Sequence, residues 1–190
     1  MEAATIGYPL VIKVASPDIV HRSDIGGVEL GITNTAALRE AFARISARVT
    51  ATMPEARITG FELQEYLFDH VEAIVGFVAA PPFGALLTVG TGGTVVELQG
   101  DRCVDLCPLT SERTSELIAA TRLGATLSGY RNLVPKTDIA PIAHLAANLS
   151  ELAADLSGDI AECDLNPVLV RKGTGEVRVA DALLVARRCT

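Results

Sequence analysis

The sequence predicts an α+β fold of layered sheets and helices, and three observations carry that reading. Strand-like apolar runs come in clusters, with helical stretches falling between the clusters instead of alternating with single strands. Residues 138–156 carry an unbroken apolar stripe at helical spacing. Length and composition suit one ordinary domain or two small lobes: 190 residues, 49% hydrophobic, with no repeat, no low-complexity tract and no linker-like segment.

In chain order, PLVIKVA (residues 9–15) has the composition of a largely buried strand, and VELGI (28–32) that of a second, shorter one. Behind Asn34 and Thr35, which can cap a helix, Leu38, Phe42, Ile45 and Val49 recur at helical spacing. Three strands are expected in ITGFELQEYL, VEAIVGFVA and ALLTVG, and a fourth, TVVELQ, after the glycine turn GTGG. Residues 111–123 read as helical. The clearest helix runs over about 138–156, where Ile142, Leu145, Ala146, Leu149, Leu152, Ala153 and Leu156 form the stripe. Pro141 is tolerated in its first turn. The chain closes on DIAECDLNPVLV and EVRVADALLV, two strands joined by the turn RKGTGE. A strand begins barely ten residues in with no helix ahead of it, so the chain reads as a piece cut from something longer.

The formal charge of −7 argues against nucleic acid or an anionic membrane as a broad electrostatic partner. It leaves room for a small anion held by a local cluster of donors. The four cysteines, Cys103, Cys107, Cys163 and Cys189, show no CxxC spacing and no histidines at zinc-like intervals. Isolated thiols of this kind suit a reducing cytoplasm. No apolar segment reaches the roughly 20 residues that span a bilayer. The start, MEAATIGYP, has neither the basic nor the apolar region of a signal peptide.

Chemistry concentrates in a few places. Directly after the first strand, SPDIVHRSDIGGV gathers two aspartates, a histidine, an arginine, two serines and a double glycine. His21 there is either a reactant or a brace bonded to Asp18 or Asp24. Lys13 is the only charge in its strand and shares a face with Val11 and Ala15. It is either an edge-strand lysine reaching for water or a phosphate ligand, since an unpaired buried ammonium would lose its proton. In AECDLNPVLV, alternation puts Glu162, Asp164 and Asn166 on one face, although all three are poor strand formers and the carboxylates repel. A hard divalent cation such as Mg²⁺ would offset that repulsion, with Asp181 completing the set if the last two strands pair. Glu72 and Glu97 are lone strand carboxylates of little specificity. GTGG suits a tight hairpin or a phosphate cradle equally well.

Taken in order, GYPLVIKVASPDIVHRSDIGGVELGI, LQEYL, VEAIVGF, PFG, GTGGTVVEL, CPLT, SGYR and ECDLNPVLV with VADALL resemble the ATP-grasp domain of ADP-forming acyl-CoA synthetases. These are relatives of the succinyl-CoA synthetase beta subunit, and the resemblance covers essentially the whole chain. It implies an ATP-grasp fold: two α/β lobes around a nucleotide cleft, truncated at the N-terminus. Residues 1–60 or so would be the remainder of the first lobe and 61–190 the second. It also implies ATP/ADP and Mg²⁺ as cofactors. Lys13 would hold phosphates, and Glu65 with the backbone near Tyr66 and Leu67 would read adenine at the hinge. Glu72 would lie near the nucleotide, and Asn166 and Asp181, with Asp164 close by, would hold Mg²⁺.

His21 matches a histidine that passes a phosphoryl group between a distant phosphohistidine and ADP, its loop moving to do so. The implied partners are CoA-binding and ligase lobes outside this chain; the oligomeric state, a homo-oligomer included, stays open. The chain departs from the family pattern at Ala79-Ala80-Pro81, at Asp105, at Arg22 and in GTGG. Two readings follow: a phosphoryl-transfer module that needs partner lobes to turn over, or a regulatory scaffold such as those fused to protein lysine acetyltransferases. The intact His21, Lys13, Asn166 and Asp181 favour the first.

Overall fold

The structure is a computed structural model that describes residues 2–93 and 100–187. The expected strand TVVELQ, Glu97 and Cys189 lie outside the described residues. The chain divides into two compact units, Met1–Phe68 and Asp69–Thr190.

The first unit opens with a helix, α1 (Glu2–Ile6), where the sequence reading placed none; five residues are too few to show a period. Its sheet is antiparallel, in the order β2 (Val28–Ile32), β1 (Leu10–Ala15), β3 (Gly60–Glu65). One face of β1, with Leu10, Ile12 and Val14, packs against Ala41, Ile45 and Val49 of α2 (Thr35–Thr52). Asn34 caps this helix, its side-chain oxygen accepting the Ala37 N–H at 2.9 Å. The expected stripe is rotated slightly. Phe42 is half exposed and packs on Phe61, ring centroids 4.4 Å apart, while Ala41 takes the central place. GFELQE pairs with β1 over its full length, so the break between units falls after Phe68, not near residue 60.

The second unit is a wholly antiparallel sheet in the order β6 (Arg102–Leu106), β5 (Ala85–Thr91), β4 (His70–Ala79), β7 (Ile160–Arg171). On the far edge of β7 lie β8 (Val177–Val179) and β9 (Ala182–Ala186). The sequence reading took EVRVADALLV as one strand; Ala180 and Asp181 interrupt it. It also missed β6, whose arginine and aspartate hide a strand that is only half buried. Helices α3 (Ser111–Ala119), α4 (Arg122–Leu127) and α5 (Ala140–Leu156) contribute, with one face of the sheet, to a core built around Phe77, Leu87, Ile118, Leu123, Ile142 and Val168. Among the described residues, no helix is long and apolar enough to cross a membrane.

Residues 111–123 are therefore two helices, not one. Thr121 caps the second, accepting the Gly124 N–H at 3.2 Å. The corner is tight: a Cβ on Gly124 would stand 2.3 Å from the Ile118 carbonyl oxygen and 2.6 Å from the Ala119 Cα. Backbone cannot yield there as a side-chain tip would. Gly124→Ala should cost about 2–3 kcal/mol, read as a lower urea midpoint at unchanged slope. Gly158→Ala, where a Cβ meets nothing within 4 Å, should stay within about 0.5 kcal/mol of the parent.

Candidate functional site

In the first unit, the site is built on the face of β1 that looks away from α2. Lys13 lies there, only 7% exposed. The edge-strand alternative is overturned, because β1 is the middle strand and is paired on both sides. Directly across from Lys13 in the β1–β3 register stands Glu62. Arg22 Nη1 donates to Glu62 Oε2 at 2.9 Å, and Gln64 Nε2 donates to Glu62 Oε1 at 2.8 Å. Burial alone would raise the Glu62 carboxyl. The bonds from Arg22 and Gln64 and the charges of Arg22 and Lys13 outweigh it and hold the group below its ordinary value. Alternation along GFELQE could have placed Glu62 and Gln64 on Lys13's face; nothing in the sequence pointed to Arg22 reaching them.

The loop at 16–27 is held on both sides of its histidine. Ile19 is buried in the core and Arg22 is tied to Glu62. Farther on, Gly27 N donates to the Arg22 carbonyl and Val14 N to the Gly27 carbonyl, both at 2.8 Å. A Cβ at Gly27 would meet Val14 at 2.7 Å, so only glycine fits this approach. Between these anchors His21 is exposed. Among the described residues its side chain has no hydrogen bond or ion pair. Neither arm of the brace alternative is made: Asp18 turns elsewhere, accepting the Arg57 N–H at 2.8 Å, and no bond joins His21 to Asp24. A second clamp comes from α2, where Arg44 and Arg48 both bind Glu29, at 2.6 and 3.1 Å. Arg48 also donates to the Gly26 carbonyl.

Glu65 ends β3 and is exposed, and Tyr66 and Leu67 follow half-buried. Tyr66 N donates to the Pro9 carbonyl at 3.0 Å, and the compact units divide just past this stretch.

In the second unit, Glu72 on β4 is exposed, and the glycine turn folds back onto it. Gly92 N donates to the Glu72 carbonyl at 2.8 Å, and Gly93 (φ +89°) lies against the Glu72 carboxylate. On β7, Glu162, Asp164 and Asn166 do alternate with residues on the core side, where Cys163 is buried. Asp164 lies over the bare Cα of Gly76: a Cβ there would stand 3.0 Å from Asp164 Oδ1. Asn166 N donates to the Asp181 carbonyl at 3.2 Å, and Asp181 Oδ1 accepts the Ala182 N–H at 3.0 Å. The turn between β8 and β9 thus brings Asp181 beside Asn166. Among the described residues, no three His, Cys, Asp or Glu side chains gather closely enough to hold a metal on their own. Two carboxylates and an amide oxygen suit Mg²⁺, which is commonly bound through one or two carboxylates together with ligand phosphates.

Asp105, where the resemblance leads one to expect an arginine, is paired with Arg113 (2.7 Å), and that bond draws its carboxyl below the ordinary value. The described thiols Cys103, Cys107 and Cys163 are free; burial pushes Cys107 and Cys163 up.

Comparison with known proteins gives the geometry its setting. The model of an ATP-grasp domain family matches residues 1–185. The chain belongs to that family. It is 37% identical over 174 residues to 4-hydroxybutyrate–CoA ligase (ADP-forming) of Nitrosopumilus maritimus, a match spanning 91% of the chain and 25% of that protein. It is 34% identical to the beta subunit of acetate–CoA ligase (ADP-forming) II of Pyrococcus furiosus, over 97% of the chain and 78% of the subunit. Acetyl-coenzyme A synthetase 1 of Ca. Korarchaeum cryptofilum, solved with coenzyme A and Ca-AMPCP, superposes with a TM-score of 0.81 at 32% identity. That superposition covers 97% of the chain and 79% of the solved one. The chain thus spans about a quarter of the length of the first curated relatives it matches and most of a separate beta subunit. The ATP-grasp fold and the kinship with ADP-forming acyl-CoA synthetases both hold.

The Glu29 clamp is testable through pH. Hydrogen bonds from Arg44, against the opposing effect of burial, hold the Glu29 carboxyl below its ordinary 4.5. A lowered folded-state value contributes stability that is complete above 4.5 and is lost as pH falls through the folded value. Glu29→Gln should therefore cost about 1 kcal/mol at neutral pH, with the urea midpoints of the two proteins converging as the pH falls below 4.5.

Proposed function

We propose that this chain is the nucleotide-binding, phosphoryl-transfer module of an ADP-forming acyl-CoA synthetase. Such an enzyme interconverts acyl-CoA, ADP and phosphate with free acid, CoA and ATP through a phosphohistidine. The observation that carries the proposal is His21: an exposed imidazole without a partner among the described residues, on a loop anchored at Ile19 and Arg22, in an ATP-grasp chain. Imidazole near neutrality is both a competent nucleophile toward phosphorus and a good leaving group.

In the ATP-to-enzyme direction, a ring nitrogen of His21 forms a bond to the γ-phosphorus. The bond to the β,γ-bridging oxygen breaks, and ADP leaves. The reverse step returns the phosphoryl group to ADP. Lys13 neutralises phosphate charge, Glu65 and the Tyr66–Leu67 backbone hold adenine, and Glu72 stands by the nucleotide. Asn166, Asp181 and Asp164 would hold Mg²⁺, which when bound would supply charge neutralisation for the phosphates. The acyl and CoA chemistry belongs to partner lobes or subunits; relatives include both a separate beta subunit and proteins some four times longer than this chain. A cytoplasmic place goes with isolated, unpaired thiols.

Titration calorimetry should show Mg²⁺-dependent binding of ADP and ATP, lost in Asp181→Ala. His21→Ala should leave ADP affinity within about twofold. Incubation with Mg²⁺ and γ-labelled ATP should deposit an acid-labile, alkali-stable phosphoryl group that the His21→Ala protein does not acquire. An unlabelled parent that still binds ATP would sink the relay role; absence of binding at millimolar nucleotide would sink the nucleotide site.

A further inference from the structure

The mechanism above makes no use of Glu62, although both of its carboxylate oxygens are bonded on the Lys13 face. Its two carboxylate oxygens take a guanidinium N–H from Arg22 and an amide N–H from Gln64, at 2.9 and 2.8 Å, with Lys13 directly opposite in register. A guanidinium and an amide bonded to one two-oxygen anion, with an ammonium across from it on the neighbouring strand, is a donor set that a phosphate group would use. Lys13, Glu62 and Gln64 are presented on one face by the alternation of β1 and β3, and Arg22 is brought to it by the loop.

We propose that Lys13, Arg22 and Gln64 form an oxyanion site and that the Glu62 carboxylate occupies it as a built-in competitor. A phosphate or phosphoryl group entering this cluster displaces Glu62 from Arg22. Removing the Glu62 charge therefore strengthens anion binding at the cluster. The inference deepens the nucleotide reading by naming the residue that keeps phosphate binding weak. Weak holding suits a site that must hand a phosphoryl group on in both directions. Because the pair is part exposed, at 26% for Arg22 and 46% for Glu62, the competition is sensitive to salt.

The test is calorimetric titration of the whole chain and its Glu62→Gln variant with inorganic diphosphate and with ADP, at low salt and at about 0.3 M salt. Glu62→Gln keeps the size of the side chain and removes its charge. Expected is a gain of about tenfold in diphosphate affinity at low salt, shrinking at high salt and abolished when Lys13→Met is added. Unchanged or weaker diphosphate binding by a folded Glu62→Gln protein overturns the proposal, leaving the Arg22 pair as a loop anchor only. Circular dichroism melting checks folding. If Glu62→Gln does not fold, Glu62→Ala takes its place under the same criteria. ADP separates this inference from the one it rests on. Tight ADP binding by both proteins with no gain keeps the nucleotide site and removes the competitor. A gain for diphosphate with ADP no tighter than diphosphate keeps the competitor and removes the adenine site.

Discussion

One strand sets the terms for the larger unit. β7 pairs with β4 along one edge and with both β8 and β9 along the other, so it can neither bend away nor slip. Yet it must serve two purposes, presenting oxygen donors on the open face and apolar groups to the helices. Strict alternation would not allow both, since Cys163 faces the core and so do Val168 and Val170, an odd number of residues later. The register supplies the answer: Ala73 lies opposite Val168 while Val75 lies opposite Leu165, so two steps on β4 match three on β7. One extra residue around Asn166 and Pro167 changes the parity of the strand. Asn166 sits at that irregularity, where its backbone is free to bond the Asp181 carbonyl. The position of the donor set thus depends on the core's demand for Val168.

Much of this was legible from sequence because it is local. The apolar run of β1, the cap at Asn34 and the stripe of α5 each declare themselves within a few residues. The donors on β7 were placed correctly up to Asn166 by a period of two. What escaped depended on partners far along the chain. β6 is recognisable as a strand only through β5, since its own alternation includes Arg102 and Asp105. The break between α3 and α4 turns on how closely Gly124 approaches Ile118. The Arg22–Glu62 bond joins residues 40 apart. No composition or spacing rule reports such a contact before the sheet exists.

Charge follows the same division between near and far. Asp105 appeared from the resemblance to reverse a local sign, but the neighbouring turn of α3 answers it with Arg113, which is also bonded to Glu116 at 2.8 Å. Glu29 and Glu62 likewise meet arginines delivered by α2 and by the His21 loop. In each case an apparently misplaced carboxylate is half of a pair, and the pair joins two pieces of chain that sequence treats as separate. The histidine loop is the plainest instance: hydrophobic burial fixes one side, an ion pair the other, and the imidazole is left out.

The distribution of thiols has a use of its own. Every described cysteine lies in the Asp69–Thr190 unit, on strands β6 and β7 or just beyond β6, and packs against that unit's core. The first unit contains none. Burial leaves Cys107 and Cys163 poorly ionised, and with Cys163 itself buried its alkylation waits on opening of the sheet that holds it. The chain therefore carries its own chemical clock for one half of its structure, silent about the other, and needs no introduced label to tell the two apart.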